Sequence, residues 1–530
     1  MTVRRWLRDV LTESRPVRLV LHRLFPSYAL DYPLWVRATH WFNFLFFTMV
    51  ARSGIAIFAA HPKLYVDEDS PPRGAWLEMT RKRQGRDELW CSSDEEVEGP
   101  PVLALPSGSA LGLGRYWHFL GSIGWVATGV VYVGCMLFTR QWRRLIPRST
   151  LILEDALRNA ITYLRMKPAL PGKRRNPLHP LDALQELSYF TVVFLLSPVM
   201  ILTGLVQSPA VLARLPAPLA RFENRQLART VHGVGLVAYA AFVGVHLAMV
   251  VWHGFAKEMD KIVLGREGLR GTRRGAKIGL GIIGAVVAAH AVASVASRRK
   301  PRAVRRALAT VVDPIVNRTM RPLASVPEYP EEKISPYFRV NGYPPISAYP
   351  QARGTDATYE RLLADDFRHY RLEVSGLVEE PLQLSLEDIK AMQRREQTTP
   401  HQCIQGWSGI AKWAGVPLRE VLRRCRPKSD ARYVVFRSFG MHEQTGKPYY
   451  ECLALGDALD DSAILAYEMN DTPLPLQHGA PLRLRFEKVL GFKMVKYLRA
   501  LELVHDYRDV GEGCGGVRED EQHYDMGAYI

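Results

Sequence analysis

The sequence predicts a membrane α-helical bundle followed, in the same chain, by a mostly β or α+β domain outside the bilayer. Three observations predict it. Five apolar runs, roughly 40–60, 117–138, 187–206, 231–252 and 276–296, fall in the first three hundred of 530 residues, and each is close to the ~20 residues that cross a bilayer's hydrocarbon core. The loops between them alternate in charge. Beyond about 326 no run is long enough to span, and short strand-like runs take over: "YRLEVSGLV", "ARYVVFRSF" and "APLRLRFE", separated by Pro and Gly turns.

Loop charge gives each span a direction. Residues 1–39 carry Arg4, Arg5, Arg8, Arg15, Arg18, Arg23 and Arg37 against three acids. The 140–185 loop, with Arg140, Arg143, Arg144, Arg148, Lys173, Arg174 and Arg175, and the 253–275 loop are also basic. These three segments are expected in the cytoplasm. The 61–116 loop is acidic, with Asp67, Glu68, Asp69 and the run "SSDEEVEG", and is expected outside. The predicted organisation is a cytoplasmic segment 1–39, a four-span domain 40–260, a fifth span 261–300, a basic connector 301–335, a soluble domain 336–507 and a loose, Gly-rich tail 508–530. The net charge of +17 clusters in the loops, so no nucleic-acid partner is expected. Six cysteines with no Cys-x-x-Cys exclude a zinc ribbon or ferredoxin-like cluster and give no disulfide framework.

The fourth span holds His232 and His246, 14 residues apart. That is roughly 21 Å along a helix, and about 40° short of four full turns, so both rings leave one face near opposite leaflets. Neutral imidazole is a common axial ligand of haem iron, and two haems stacked across a membrane fit this spacing. Each needs a second ligand at its own depth. His118, at the outer end of the second span, matches His232; His40, at the inner end of the first, matches His246. Ionisable groups within spans are functional candidates by default. His61, His253 and His290 are expected only to snorkel at the interface.

With "RATHWFN" at the first span, "RYWHF" at the second and His-x13-His in the fourth, residues 35–260 resemble the di-haem cytochrome b subunits of formate dehydrogenase and nickel–iron hydrogenase. The resemblance implies b-type haems held by His40, His118, His232 and His246, and electron exchange with a quinone pool. The long acidic loop 61–116 departs from that family.

In the soluble half, "TTPHQCIQGWSGIAKWAGVPL" places Cys403 among polar residues. Spacing alone leaves it either a structural, half-buried cysteine or a ligand. The stretch resembles the cysteine motif of the sulfite oxidase superfamily, most closely the catalytic subunit of periplasmic methionine sulfoxide reductase. Cys403, Trp407, Ser408, Trp413, Gly415, Pro417 and Leu418 match it, and "LAYEMNDTPLPLQHGAPLRLRFEKVLGFKMVKYLRALEL" extends the likeness. The fold implied is a membrane α-helical bundle, four haem-bundle spans plus a fifth, fused to an α+β sulfite-oxidase-type molybdopterin-binding domain.

The resemblance makes Cys403 the molybdenum thiolate and catalytic ligand; a soft thiolate suits that metal. It implies Arg483 and Lys493 on the pterin phosphate, His478 towards the pterin, and Asn341 and Tyr343 of "RVNGYPP" as further contacts. His401 and Gln402 are expected in the substrate pocket. Gln405 stands where the methionine sulfoxide reductases carry Glu, removing a charge beside the site.

The implied protein is a membrane-bound, multi-pass molybdoenzyme of a bacterial inner membrane. Two b-type haems would couple quinone or quinol to oxygen-atom transfer at a molybdenum–molybdopterin (Moco) centre. The substrate is a small S- or N-oxide such as methionine sulfoxide. Two alternatives stand: a sulfite-type dehydrogenase feeding quinone, or a haem-only carrier with a partner-docking domain. Arg273-Arg274 before the fifth span resembles a twin-arginine export signal and implies a molybdopterin domain outside the cytoplasm. The basic run "RRKPRAVRR" beyond that span argues the other way.

Overall fold

A computed structural model describes residues 32–71, 73–80, 95–108, 110–147, 150–165, 182–208, 211, 225–265, 273–319, 326–349, 354–443 and 445–529. The arginines expected to hold residues 1–31 in the cytoplasm lie outside the described residues. The chain divides into two compact units. The first comprises 1–51, 118–202 and 232–295; the second comprises 52–117, 203–231 and 296–530.

Five helices are long and apolar enough to cross a membrane: α1 Leu34–Ala59, α2 Leu111–Phe138, α3 Ala183–Val206, α4 Arg225–Trp252 and α5 Arg274–Arg299. They coincide with the five predicted runs. Asp182 starts α3 through a capping box with Gln185, satisfying N–H groups that a helix start leaves open. Within α3, Thr191–Leu196 widens into a π turn. Pro198 has no N–H to continue the α-helical ladder there. Small residues let α1 and α2 approach closely: a Cβ on Gly124 would stand 2.4 Å from the Phe46 ring. His290 does not snorkel. It is buried, and its Nε2 lies 2.9 Å from Thr48 Oγ1.

The second unit is built on two five-stranded sheets. One runs β10-β9-β6-β5, with β11 also on β9; the other runs β4-β3-β12-β7-β8. The strands are β3 Arg371–Gly376, β4 Leu382–Ser385, β5 Arg395–Gln402, β6 Ser408–Pro417, β7 Tyr433–Met441, β8 Pro448–Ala454, β9 Ile464–Met469, β10 Thr472–Pro473, β11 Arg483–Arg485 and β12 Leu498–Val504, while β1 Lys63–Leu64 and β2 Leu77–Glu78 pair separately. The three quoted strand-like runs become β3, β7 and β11. Residues alternate on β3, so Leu372 and Val374 face the core with Tyr370, Phe436 and Leu501. Helix α7, Leu418–Cys425, buries Leu418, Val421, Leu422 and Cys425, the stripe that a 3.6-residue period puts on one face.

Further expectations change. The loops after α1 and before α4 and the first turns of α4 belong to the second unit, not to a self-contained 40–260 domain; Glu68, Arg225, Gln226 and Arg229 find partners on residues 402–408. The connector is in large part helix α6, Pro301–Thr319, which pairs Arg302 with Glu512 and Arg305 with Asp525. The tail is not loose: helix α8, Val517–Gln522, buries Val517, Arg518, Glu519, Asp520 and Gln522. Its glycines mark turns between packed segments. His61, too, is buried rather than interfacial, with Nδ1 3.6 Å from Glu95.

Candidate functional site

In the first unit, the His40 and His246 ring centres are 6.3 Å apart. The His118 and His232 centres are 6.4 Å apart. These are the pairs expected from depth. Two imidazoles binding one iron from opposite sides, each with a metal–nitrogen bond of about 2.0 Å, put their ring centres roughly 6.3 Å apart. Among the described residues no cluster of three or more His, Cys, Asp or Glu side chains could hold a metal ion. Two protein ligands per site suit an iron whose other four ligands come from a porphyrin. The residues present therefore fit haem.

In the second unit, β5 and β6 form a hairpin in register Gln402↔Ser408, and Cys403 opens its five-residue loop. Cys403 N–H donates to Trp407 O at 3.0 Å, and Gly406 N–H donates to Cys403 O at 3.1 Å. Gly406 sits at φ +88°, a conformation that costs other residues a Cβ clash. The loop is pinned from outside the hairpin. Ser408 donates to Glu68 Oε2 from its hydroxyl at 2.8 Å and its N–H at 3.3 Å. Gln226 N–H donates to Glu68 Oε1 at 3.1 Å, and Gln226 Nε2 donates to Gly406 O at 2.8 Å. Arg229 donates to Gln405 O at 3.2 Å, and Arg225 donates to Gln402 Oε1. Burial raises the Glu68 carboxyl above its ordinary value, partly offset by Arg225 and the Ser408 hydroxyl.

Cys403 is buried and lines a cleft. Asn341, Tyr343, His401, His478 and Arg483 line it with Cys403, so all but one of the residues expected at the molybdopterin converge. Cys403 Sγ lies 4.0 Å from Asn341 Nδ2 and 3.8 Å from Gln405 Oε1. Burial pushes the thiol up to about 11, so a metal bound there would have to displace its proton. His401 is held neutral by burial and by Arg485, whose Nη1 lies 3.0 Å from His401 Nδ1. His478 falls to about 3 through burial, then Lys496 and Arg483. Gln402 does not line the cleft; its side chain meets Arg225.

Lys493 corrects the sequence reading. It is fully buried and absent from the cleft wall. Its ammonium donates to Glu519 at 2.6 Å, Glu451 at 2.9 Å and Gly515 O at 3.1 Å. Burial opposes its charge, but the two carboxylates outweigh burial and raise its pKa. Lys493 anchors α8 and has no hydrogen to offer a phosphate. The cations in the wall are instead Arg339, Arg483, Lys496 and Arg518, against one acid, Glu443. Arg483 Nε and Arg339 Nη1 are buried without a hydrogen-bond partner, as a bound anion would require. With the thiol in the same cleft, the residues fit a phosphate-bearing pterin and its metal. Lys496 lies in the same "GFKMVK" run as Lys493, and Arg339 is two residues before Asn341. Sequence reading could have named both; nothing local marks Glu68 or Arg518.

Comparisons with known proteins match two stretches of the sequence to two different families. The family described as "Oxidoreductase molybdopterin binding domain" matches residues 360–510, and "Prokaryotic cytochrome b561" matches residues 31–265. The chain is similar to a "Putative protein-methionine-sulfoxide reductase subunit" of Azospira oryzae, 33% identical over 37% of this chain and 64% of that one. It is 35% identical to a protein-methionine-sulfoxide reductase catalytic subunit of Xanthomonas campestris pv. campestris, over 28% of this chain and 50% of that one. It is 34% identical to an uncharacterized oxidoreductase of Bacillus subtilis, over 27% of this chain and 69% of that one. The chain thus spans about half to two thirds of these relatives' lengths. It belongs to the molybdopterin-binding oxidoreductases, and residues 31–265 of the same polypeptide match the prokaryotic cytochrome b561 family.

Proposed function

We propose that the chain draws electrons from quinol through two b-type haems and uses them at a Moco centre to reduce a sulfoxide such as methionine sulfoxide. The observation that carries this reading is the cation-walled cleft at Cys403, in which Arg483 Nε and Arg339 Nη1 are buried without a hydrogen-bond partner. The paired histidines of the first unit and the printed names of the two reductase relatives support it. When bound, the molybdenum centre supplies the oxygen-atom transfer; the protein positions and tunes it. The sulfoxide gives up its oxygen as water, taking two electrons and two protons. Arg483 and Arg339 hold the pterin's anionic end, Asn341 and Gln405 face the Cys403 sulfur, and the clamp on residues 402–408 sets the thiolate's direction.

We also propose that this domain lies outside the cytoplasm, exported by the twin-arginine route that Arg273-Arg274 suggests. Glu68, in the acidic loop expected outside, bonds Ser408 of the same unit, so the Cys403 hairpin shares that loop's side. The basic residues after the fifth span are partly neutralised, since Arg302 and Arg305 pair with Glu512 and Asp525. That weakens the charge argument for the cytoplasm.

Metal analysis and a reduced-minus-oxidised spectrum of the purified chain test the reading. It requires two b-type haems and one molybdenum per chain, with sulfoxide reduction lost and haem retained in Cys403→Ala. Haem without molybdenum would leave an electron carrier with a docking domain. Turnover of sulfite but no oxide would reverse the direction.

A further inference from the structure

Midway between the two histidine pairs the first unit holds three aromatic rings in a layer. Phe47 follows His40 by seven residues, Trp125 follows His118 by seven, and Tyr239 stands seven from both His232 and His246. Seven residues are about 10.5 Å of helix, half the separation of the pairs. The rings meet at Tyr239: Phe47 at 5.2 Å between centres, tilted 48°, and Trp125 at 6.1 Å, edge-on at 82°. Tyr239 is 6% exposed.

Its hydroxyl is fixed by the irregular turn of α3. The Ser197 hydroxyl donates to Val192 O at 2.7 Å, leaving Ser197 Oγ to accept from Tyr239 O–H at 2.5 Å. The π turn before Pro198 gives that carbonyl to the serine; π turns inside helices are frequent at functional sites. Phe would fill nearly the same volume in a bundle core without a buried hydroxyl that needs a partner.

We infer that Phe47, Trp125 and Tyr239 form the bridge through which electrons pass between the two haem sites. This rests on the two-haem reading above. The step moves one electron: the iron on one side is oxidised and the other reduced. No proton moves, because Tyr239 donates to a hydroxyl rather than a base, so the ring conducts without itself being oxidised. Closely packed π systems lower the tunnelling barrier relative to aliphatic packing over the same distance.

The test is transient absorption of the detergent-purified holoprotein after a pulse of photoreductant, which reads electron equilibration between the haems. Haem content and midpoint potentials are measured on each variant. With both haems bound and potentials unchanged, Tyr239→Leu and Trp125→Leu should slow equilibration by about tenfold or more. Tyr239→Phe, which keeps the ring, should stay within about twofold. Unchanged rates in the Tyr239→Leu/Trp125→Leu double variant would overturn the bridge, as would an equal slowing by Tyr239→Phe. A wild-type chain holding one haem or none would instead overturn the reading beneath it.

Discussion

Glu68 belongs to a stretch whose acidity alone suggested an outward loop, and its carboxylate takes three donors from the Cys403 hairpin and α4. Removing it leaves those donors without an acceptor, a cost of about 1–3 kcal/mol. Glu68→Ala should therefore loosen the hairpin: Cys403 in cofactor-free protein should be alkylated several-fold faster, and molybdenum occupancy should fall while haem content holds. Unchanged alkylation and occupancy would remove Glu68 from the positioning of Cys403. His442 offers a pH test. Burial, then the Arg518 guanidinium, lower its imidazole from 6.5 to about 4. Between those values the unfolded chain takes up a proton that the folded chain refuses. The stability held here is complete above about pH 6.5 and falls as pH drops towards about 4, by up to about 3 kcal/mol. Thermal unfolding followed from neutral pH downwards should show wild type losing more stability than His442→Asn; parallel losses would contradict the assignment. Little of this was readable in the chain. Asn341, Tyr343, His478 and Arg483 could be named because they sit in runs that resemble a known motif. The direction of a side chain within a run could not, and Lys493 turned away from the cleft for that reason. Glu68 meets Ser408 across 340 residues of sequence, a contact no local pattern encodes.

The helices were the most readable elements, because length, apolarity and loop charge are each set by the bilayer. The pairing of His118 with His232 and of His40 with His246 followed from helical rise and direction, and the rings of each pair stand 6.4 and 6.3 Å apart. The pairs should act independently. Substituting either member of one pair by Ala should remove about half the b-type absorbance and leave the other haem's potential in place. Loss of both haems on any single substitution would contradict two separate sites. The π turn of α3 was not readable as such, although Pro198 marked where the ladder must adjust. The elements of the second unit were partly readable. Strands β3 and β7 announced themselves by β-branched and aromatic residues. Helix α8 did not: composition suggested a Gly-rich tail, but packing against Lys493 and the Glu443–Arg518 pair decides its structure.

Across the whole chain, one polypeptide joins the regions matched by the cytochrome b561 and the molybdopterin-binding family models. The second unit takes in more than the molybdopterin-binding region. It also includes residues 52–117 and 203–231, so the membrane half of the sequence supplies Glu68, Arg225, Gln226 and Arg229 to the hairpin that presents Cys403. A split at the connector would therefore strip the cysteine loop of its clamp. The central claim is that electrons entering at the haems leave through Cys403's metal to a sulfoxide. The most direct measurement is anaerobic: reduce the haems of the purified chain with a quinol, add methionine sulfoxide, and follow the b-type absorbance in wild type and in Cys403→Ala. Reoxidation in wild type at the rate of turnover, with the variant staying reduced, is the predicted result. Wild-type haems that stay reduced, or a variant that reoxidises like wild type, would contradict it.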